Sequence, residues 1–392
     1  MLIKLEPEFE KYQDKNKGTL VVRLKKGLYG LVQSARLWYE HLKADLMALG
    51  YTTNPHDECV FNKTESDGTQ STILVHVDDL LITSKTEENI DELLRQLGMK
   101  YKDLSVHRGR ELDYLGMHFD WRQPGKCYVT MSGYIEELLT FAAEIKGKAS
   151  TPASQSLFEI DEESEALCDE RKEFFHSLTA KFLYLAKRAR PDLLLAVSFL
   201  ARRVQKPTKE DMKKLQRVVR YLRANNKEGM CLQPDTVLQA YGWVDASFAV
   251  HHDMRSHTGA VLGLGKGPFW AKSSVQKLNS KSSTEAELIG ASDSAGQLLW
   301  TRQFLVAQGY DVGPAVLYQD NQSTIALLNN GRSNSERTRH IAIRYFFLHD
   351  RINRKEVRVE YLCTGDMIAD ILTKPLQGEQ FNRLRAMLLN WP

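Results

Sequence analysis

Apolar residues recur at helical spacing from Ser34 to Leu49 and stop at Gly50, which predicts an amphipathic helix ending on a glycine C-cap. The stretch ILVHVDDLLI, Ile73 to Ile82, sets Asp78 and Asp79 between two apolar runs and predicts strand, tight turn, strand. A helix near Glu87 to Leu97 follows. A strand pair at DYLGMHFDW and KCYVTM, joined by RQPG, leads to a helix from Ser132 to Ile145. The polar, acidic TPASQSLFEIDEESEALCDE then reads as a linker, before two or three helices. Beyond Leu238, LQAYGWVDASF, TGAVLGL and PFWAKSS read as three consecutive strands. A long helix from STEAELIG ends at Gly309. Strand AVLYQD, helix NQSTIALLNN, a basic helix from Arg339 to Arg354, strand VRVEYL and a short helix DMIADILTK complete the chain. This order predicts a mixed sheet, antiparallel first and parallel later, with helices packed on it.

Composition narrows the picture. A chain of 392 residues has room for two or three domains, each with its own core. The formal net charge of +3 says little, because clustering matters more than the sum. The clustering is in the middle region, about Gly147 to Pro234, where Lys187, Arg188, Arg190, Arg202, Arg203, Lys206, Lys213, Lys214, Arg217, Arg220 and Arg223 fall on polar helix faces. One such helix would be a solvated face; several in a row point to a polyanion partner. The cysteines (Cys59, Cys127, Cys168, Cys231 and Cys363) lie far apart with no C-x-x-C pair, which speaks against zinc and disulfides and for a reducing compartment. The longest apolar run, LLLAVSFLA, is too short to span a bilayer, and the N-terminus is not a signal peptide. The expectation is an intracellular protein, cytoplasmic or nuclear, with no membrane partner.

Candidate chemistry rests on carboxylates. Asp78 and Asp79 suit a turn, since Asp bonds nearby backbone, and equally suit a divalent cation, which wants clustered oxygens. Asp245 lies inside a strand, where charge is costly. Glu285 and Glu287 share the first turn of the long helix, Asp320 ends a strand, and Asp370 lies in the last short helix. Sites in open α/β sheets gather where strands end, so these acids can converge on one sheet edge. Ionised together they would require cations. Each also has a plain structural reading: a capping box in SSTE or TEAE, an N-cap at Asp320, a solvent-facing acid at Asp370. The apolar pattern does not decide which of Glu285 and Glu287 faces inward.

The motifs LKKGLYGLVQSARLWYEHL, LVHVDDLLI and DYLGM resemble the reverse transcriptase of copia-type retrotransposon polyproteins. LYLAKRARPDLLLAVSFL, DASF, SSTEAELIGAS, LYQDNQSTIALL, TRHIAIRYFFLHDRI and ADILTKPL resemble that family's connecting segment and ribonuclease H domain, in the family's order. The resemblance implies an α/β (α+β) chain: partial reverse transcriptase palm and thumb over 1–146, a helical basic connection over 147–237, and a ribonuclease H-like mixed-sheet domain over 238–392. It implies palm metal ligands at Asp78 and Asp79, nucleotide contacts at Tyr29 and Gly30, and a primer-contacting turn at Tyr114 to Gly116. Its ribonuclease H tetrad maps onto Asp245, Glu287, Asp320 and Asp370, which selects Glu287 over Glu285. Two Mg²⁺ or Mn²⁺ ions are implied at that site. Nucleic acid, as RNA–DNA hybrid or primer–template, is the implied partner. Arg217, Arg220, Arg223, Arg339, His340 and Arg344 are its candidate contacts, and other segments of the polyprotein are candidate partners.

The sequence departs from the family pattern in places. The family's first catalytic Asp lies upstream of the motif that MLIKLEPEF continues. Val32, Ala35 and Ala342 stand where the family's usual Lys, Pro and Asp would be. The expected enzyme is therefore a ribonuclease acting on RNA–DNA hybrids, its polymerase half inert alone. The competing expectations are a nucleic-acid-binding remnant without catalysis and an unrelated α/β nuclease, the latter leaving VDD unexplained.

Overall fold

A computed structural model describes residues 7–14, 19–20, 24–25, 27–28, 30–331 and 342–392. The chain divides into two compact units, Met1–Asp103 and Leu104–Pro392. The boundaries drawn from sequence at 146 and 237 do not coincide with this division, because strands from either side of both boundaries pair in one sheet.

In the first unit a short ladder joins β1 (Gln13–Asp14) to β2 (Thr19–Leu20). Helix α1 (Val32–Ala48) then precedes four antiparallel strands, β3 (Thr52–Asn54), β4 (Asp57–Thr64), β5 (Gln70–His76) and β6 (Asp79–Thr83), paired in chain order. Helix α2 (Glu87–Lys100) closes the unit. The period of two in β5 buries Ser71, Ile73 and Val75 in turn, and Ile73 packs with Leu42, Leu46, Phe61, Leu93 and Leu97. Val77 and Asp78 form the turn between β5 and β6, with Val77 at φ 57. A β-branched residue in the left-handed region is strained. The Trp38 indole N–H donates to the Val77 carbonyl at 2.8 Å and holds that turn.

The second unit holds two five-stranded sheets. The first runs β13 (Gly265–Lys266), β10 (Met230–Pro234), β9 (Cys127–Thr130), β8 (Met117–Asp120), β7 (Glu111–Tyr114). The segment DYLGMHFDW, which the apolar pattern alone reads as a strand, is a hairpin: Leu115 (φ 51) and Gly116 (φ 77) turn the chain between Tyr114 and Met117, where the family resemblance implies a turn. The other sheet runs β14 (Pro268–Val275), β12 (His257–Gly263), β11 (Tyr241–Ser247), β15 (Ala315–Gln319), β16 (Val357–Tyr361). Its β14, β12 and β11 are antiparallel neighbours, whereas β11, β15 and β16 are parallel, as the element order predicts.

Helices cover both faces of that sheet. Val244, Ala260 and Leu262 pack with Leu288, Ala291, Ala295 and Leu298 of α7 (Ser283–Ala307). Trp243 and Val261 point the other way, into a layer built from α3 (Ser132–Phe141), α4 (Asp169–Ala186), α5 (Leu194–Ala201), α6 (Lys209–Ala224) and α10 (Gly378–Leu389). Helices α8 (Gln322–Asn330) and α9 (Ala342–Asn353) connect the parallel strands. Helix α10 is not among the predicted elements, and the expected helix at DMIADILTK is a 3₁₀ turn, Ile368–Leu372, that follows another at Thr364–Asp366.

The expected acidic linker is packed structure. Ala153 and Leu157 sit in the core, the Leu167 N–H donates to the Pro207 carbonyl, and Ala166 bridges Thr208. The two apolar residues anchor a stretch whose average composition hides them. Many cations of the basic helices also serve the fold. Arg217 donates to the carbonyl and hydroxyl of Thr151 at 3.1 and 2.7 Å, Arg220 to the Lys146 carbonyl at 2.9 Å, and Arg223 to the Ile145 carbonyl at 3.0 Å. Lys214 donates to the Glu159 carbonyl, and Arg203 pairs with Asp211.

Arg190, grouped by sequence with the polar faces, is fully buried. Its guanidinium grips Asp192 through two bonds of 3.0 and 2.7 Å, and Asp192 also accepts from the Tyr221 hydroxyl at 2.6 Å and from Arg385 at 3.3 Å. Burial alone would raise the Asp192 pKa; Arg190 and Arg385 more than offset it and hold it at about 2. Asp192→Ala strands a buried guanidinium and is expected to cost about 3–5 kcal/mol in denaturant unfolding. Because the folded pKa is depressed, the contribution of Asp192 is complete above the unfolded value of 3.8 and is lost as pH falls toward 2.

Candidate metal centre

Four acids from four separate elements meet at one end of the mixed sheet. The pairing of β11 with β15 runs through Trp243 and Tyr318, and Asp245 and Asp320 each lie two residues beyond that last pair. Glu287 enters from the first two turns of α7. Its neighbour Glu285 is spent on the helix terminus: Ser282 accepts from the Glu285 N–H, and the Glu285 carboxylate accepts from the Lys281 N–H at 2.8 Å. The apolar pattern left these two glutamates undecided; the structure turns Glu287 to the cluster. Asp320 is likewise free of capping duty, since Asn321 caps α8 by accepting from the Thr324 N–H. Asp370 arrives on the 3₁₀ turn Ile368–Leu372 and is 1% exposed, not solvent-facing.

Close packing brings that turn in. Gly259 is the cross-strand partner of Asp245. A Cβ there would lie 2.7 Å from the Ala369 carbonyl and 2.8 Å from the Leu372 Cβ, so only glycine lets the turn approach the sheet. A polar chain secures it from behind. Ser273 donates to the Leu372 carbonyl at 2.8 Å, His257 meets Ser273 at 2.7 Å, and His251 meets His257 at 2.9 Å. Burial lowers the His257 pKa to about 3 and that of His251 to about 4, so both rings are neutral near pH 7.

Oxygens of Asp245, Glu287 and Asp320 all lie within 4.8 Å of one another. Each carboxylate is also held from outside. Glu287 accepts from Gln319 at 3.3 Å, and the other end of that buried amide accepts from the Asp320 and Asn321 N–H groups. Asp320 accepts from the Thr364 hydroxyl at 2.9 Å and Asp245 from the Thr373 hydroxyl. Lys374 spans Asp370 at 2.8 Å and Asp245 at 3.3 Å. Burial first, then Asp245 and Asp320, raises the Glu287 pKa well above the carboxylate range. Burial and Asp245 likewise push Asp370 to about 7. Burial by itself would lower the Lys374 pKa, but Asp245 and Asp370 raise it above the usual value. The Asp370 Oδ2 is buried with no hydrogen-bond partner. Crowded, desolvated oxygens with an orphaned acceptor fit a hard divalent cation of the Mg²⁺ or Mn²⁺ kind.

The remaining candidates fall elsewhere. Asp78 and Asp79 are exposed at the β5–β6 turn, and among the described residues no third acid joins them in a cluster. Gly30 is exposed at φ 90 just ahead of α1. Arg344 is paired with Asp293. Tyr29, Arg339 and His340 lie outside the described residues. Thr373, Lys374 and Gln319 were not singled out from sequence. Lys374 carries a signal in ADILTK, four residues past Asp370, one helical turn away.

The fold and site thus define a chain with an antiparallel acid-tipped hairpin in one unit and a carboxylate cluster fit for a divalent cation in the other. Residues 2–150 match the family described as reverse transcriptase (RNA-dependent DNA polymerase). The chain is 31% identical over 379 residues to the retrovirus-related Pol polyprotein from transposon RE1 of Arabidopsis thaliana, covering 96% of this chain and 25% of that one. It is 29% identical over 389 residues to the Pol polyprotein from transposon TNT 1-94 of Nicotiana tabacum, covering 97% and 29%. It is 27% identical over 385 residues to the transposon TyH3 Gag-Pol polyprotein of Saccharomyces cerevisiae, covering 93% and 21%. The chain belongs to the reverse transcriptase region of copia-type Pol polyproteins, and it spans about a quarter of the length of these relatives. A solved protease–reverse transcriptase of prototype foamy virus covers 86% of this chain and 38% of its own at 14% identity and a TM-score of 0.24, too slight a likeness to bear on the fold. Among the described residues no helix is long and apolar enough to cross a membrane.

Without metal, the raised pKa values of Glu287 and Asp370 mean that the folded chain holds protons the unfolded chain has released. Stability from these groups is present below the unfolded carboxylate range and is lost as pH rises through the folded values. In chelator, Glu287→Gln is expected to stabilise the chain at pH 8, because the amide removes the cost of ionising a carboxyl whose pKa burial, Asp245 and Asp320 hold well above its ordinary value. Denaturant midpoints of the two proteins at pH 5 and pH 8 check this, the gain being larger at pH 8.

Proposed function

We propose that residues 238–392 form a metal-dependent ribonuclease H that cleaves the RNA strand of RNA–DNA hybrids. The observation that carries this reading is the convergence of Asp245, Glu287 and Asp320 within 4.8 Å, from a strand, a helix and the residue just past a second strand. The strand order β14-β12-β11-β15-β16, with parallel pairing starting at β11, and the placement of Asp370 beside Asp245 through Lys374 support it. Bound at these oxygens, divalent ions supply Lewis-acid activation of water and neutralise charge at the phosphodiester. The chain contributes the geometry. Asp245, shared by both sides of the cluster, is oriented by Thr373; Glu287 and Asp320 are set by the two ends of Gln319; Asp370 rides on a turn seated against Gly259. In the intact polyprotein, the hairpin acids Asp78 and Asp79 are the proposed metal ligands of the polymerase. Primer–template and hybrid are the proposed partners.

Cleavage of a labelled RNA–DNA hybrid in Mg²⁺ or Mn²⁺ tests the reading. Asp245→Asn or Asp320→Asn is expected to lower cleavage at least about a thousandfold, since two-metal chemistry needs both ions held, while hybrid binding changes little. Glu285→Gln is expected to keep activity and lose at most about 1 kcal/mol of stability through its cap. Hybrid binding without metal-dependent cleavage would favour a binding module instead.

The chain alone is also expected to leave a primer unextended, because Asp78 and Asp79 have no third carboxylate partner among the described residues. Template-dependent extension that Asp78→Asn abolishes would contradict that.

A further inference from the structure

The carboxylate cluster is not symmetrical. On one side Asp245, Glu287 and Asp320 bring three oxygens within 4.8 Å of one another. On the other, Asp245 and Asp370 share the Lys374 ammonium at 3.3 and 2.8 Å. Asp245 belongs to both sides. We propose that the Lys374 ammonium is a resident cation on the Asp245–Asp370 side, so that a first divalent ion enters readily at Asp245, Glu287 and Asp320 and a second enters only by displacing Lys374.

Three observations support this. Asp245 and Asp370 are almost wholly buried, at 2% and 1% exposure, so their charges are poorly screened and a nearby cation matters. Lys374 uses only Asp370 Oδ1, and the buried Asp370 Oδ2 is left without a partner, an acceptor the ammonium does not satisfy. Lys374 itself is about a third exposed, at 36%, and lines a cavity of about 430 Å³ together with Ser247, His252, Gln155 and Glu159. A lysine on a flexible four-carbon stem can withdraw into that recess, whereas the acids on strand, helix and packed turn are fixed. The proposal rests on the metal reading of the cluster. It adds that the two ions are unequal and that one lysine sets the difference.

Mn²⁺ binding to the full chain, followed by titration calorimetry and by the electron paramagnetic resonance of free Mn²⁺, tests it without reference to cleavage. Wild type is expected to bind one ion at least about tenfold more tightly than a second, since a unit charge at hydrogen-bonding distance shifts ion affinity by at least that much. Lys374→Gln is expected to tighten the second ion about tenfold and leave the first nearly unchanged, while Lys374→Arg keeps the inequality. Asp320→Asn is expected to remove the tight ion. Circular dichroism and denaturant midpoints establish that each variant is folded; if Lys374→Gln is not, Lys374→Met takes its place in the same titration. Two equal ions in wild type, or a second ion indifferent to Lys374→Gln, would overturn the proposal and leave the metal reading standing. No Mn²⁺ uptake by wild type would overturn both.

Discussion

Like charges in a desolvated corner repel, and nothing in the carboxylates themselves brings them together. Everything around Asp245 can be read as the means of imposing that proximity. Parallel pairing of β11 with β15 sets Asp245 beside Asp320 at the end of a sheet that is covered on both faces. The long helix packs its small residues on β11 and β12, and Gly290 approaches so closely that a Cβ would meet Val244 and Thr258 at 3.3 Å, which fixes where Glu287 emerges. The turn bearing Asp370 sits on Gly259 and is tied back through Ser273 and two neutral histidines. Folding energy gathered elsewhere in the unit, in the apolar layers, offsets the local repulsion.

This division of labour also explains the middle region. Its arginines read from sequence as a surface for polyanions; in the structure Arg217, Arg220 and Arg223 also fasten the 145–151 segment, and Arg190 is an interior charge balanced by Asp192. The layer they stabilise is the same one that Trp243, Val261, Ile371 and Leu372 pack against. A change at those arginines would therefore reach the acid cluster through packing as well as through any loss of charge at the surface.

Much of this was legible in the sequence, for reasons that differ by element. The strands GWVDASF and TGAVLGL, the helix from Ser283 and the turn at Asp78 show strong periods or strong turn chemistry, and they stand where the pattern put them. A charge inside a strand singled out Asp245 because burial makes such a residue expensive. What was not legible depends on long-range contacts. Leu115 and Gly116 split a run whose alternation alone passes for one strand, and only the family resemblance marks the turn there. The acidic stretch after Thr151 is ordered by two apolar residues and by backbone bonds to the 207–209 region. Lys374, Thr373 and Gln319 matter only because distant segments bring carboxylates to them, and no local pattern records that. Surface and interior arginine look alike in sequence, so Arg190 could not be told from its exposed neighbours.

The most direct test of the claim that this fold exists to hold cations among its acids is anomalous diffraction from crystals of the chain soaked in Mn²⁺. The account calls for an anomalous peak bounded by Asp245, Glu287 and Asp320, lost in crystals of Asp245→Asn that otherwise superpose. A well-ordered cluster that shows no peak at saturating Mn²⁺, or a peak that survives Asp245→Asn, would contradict it.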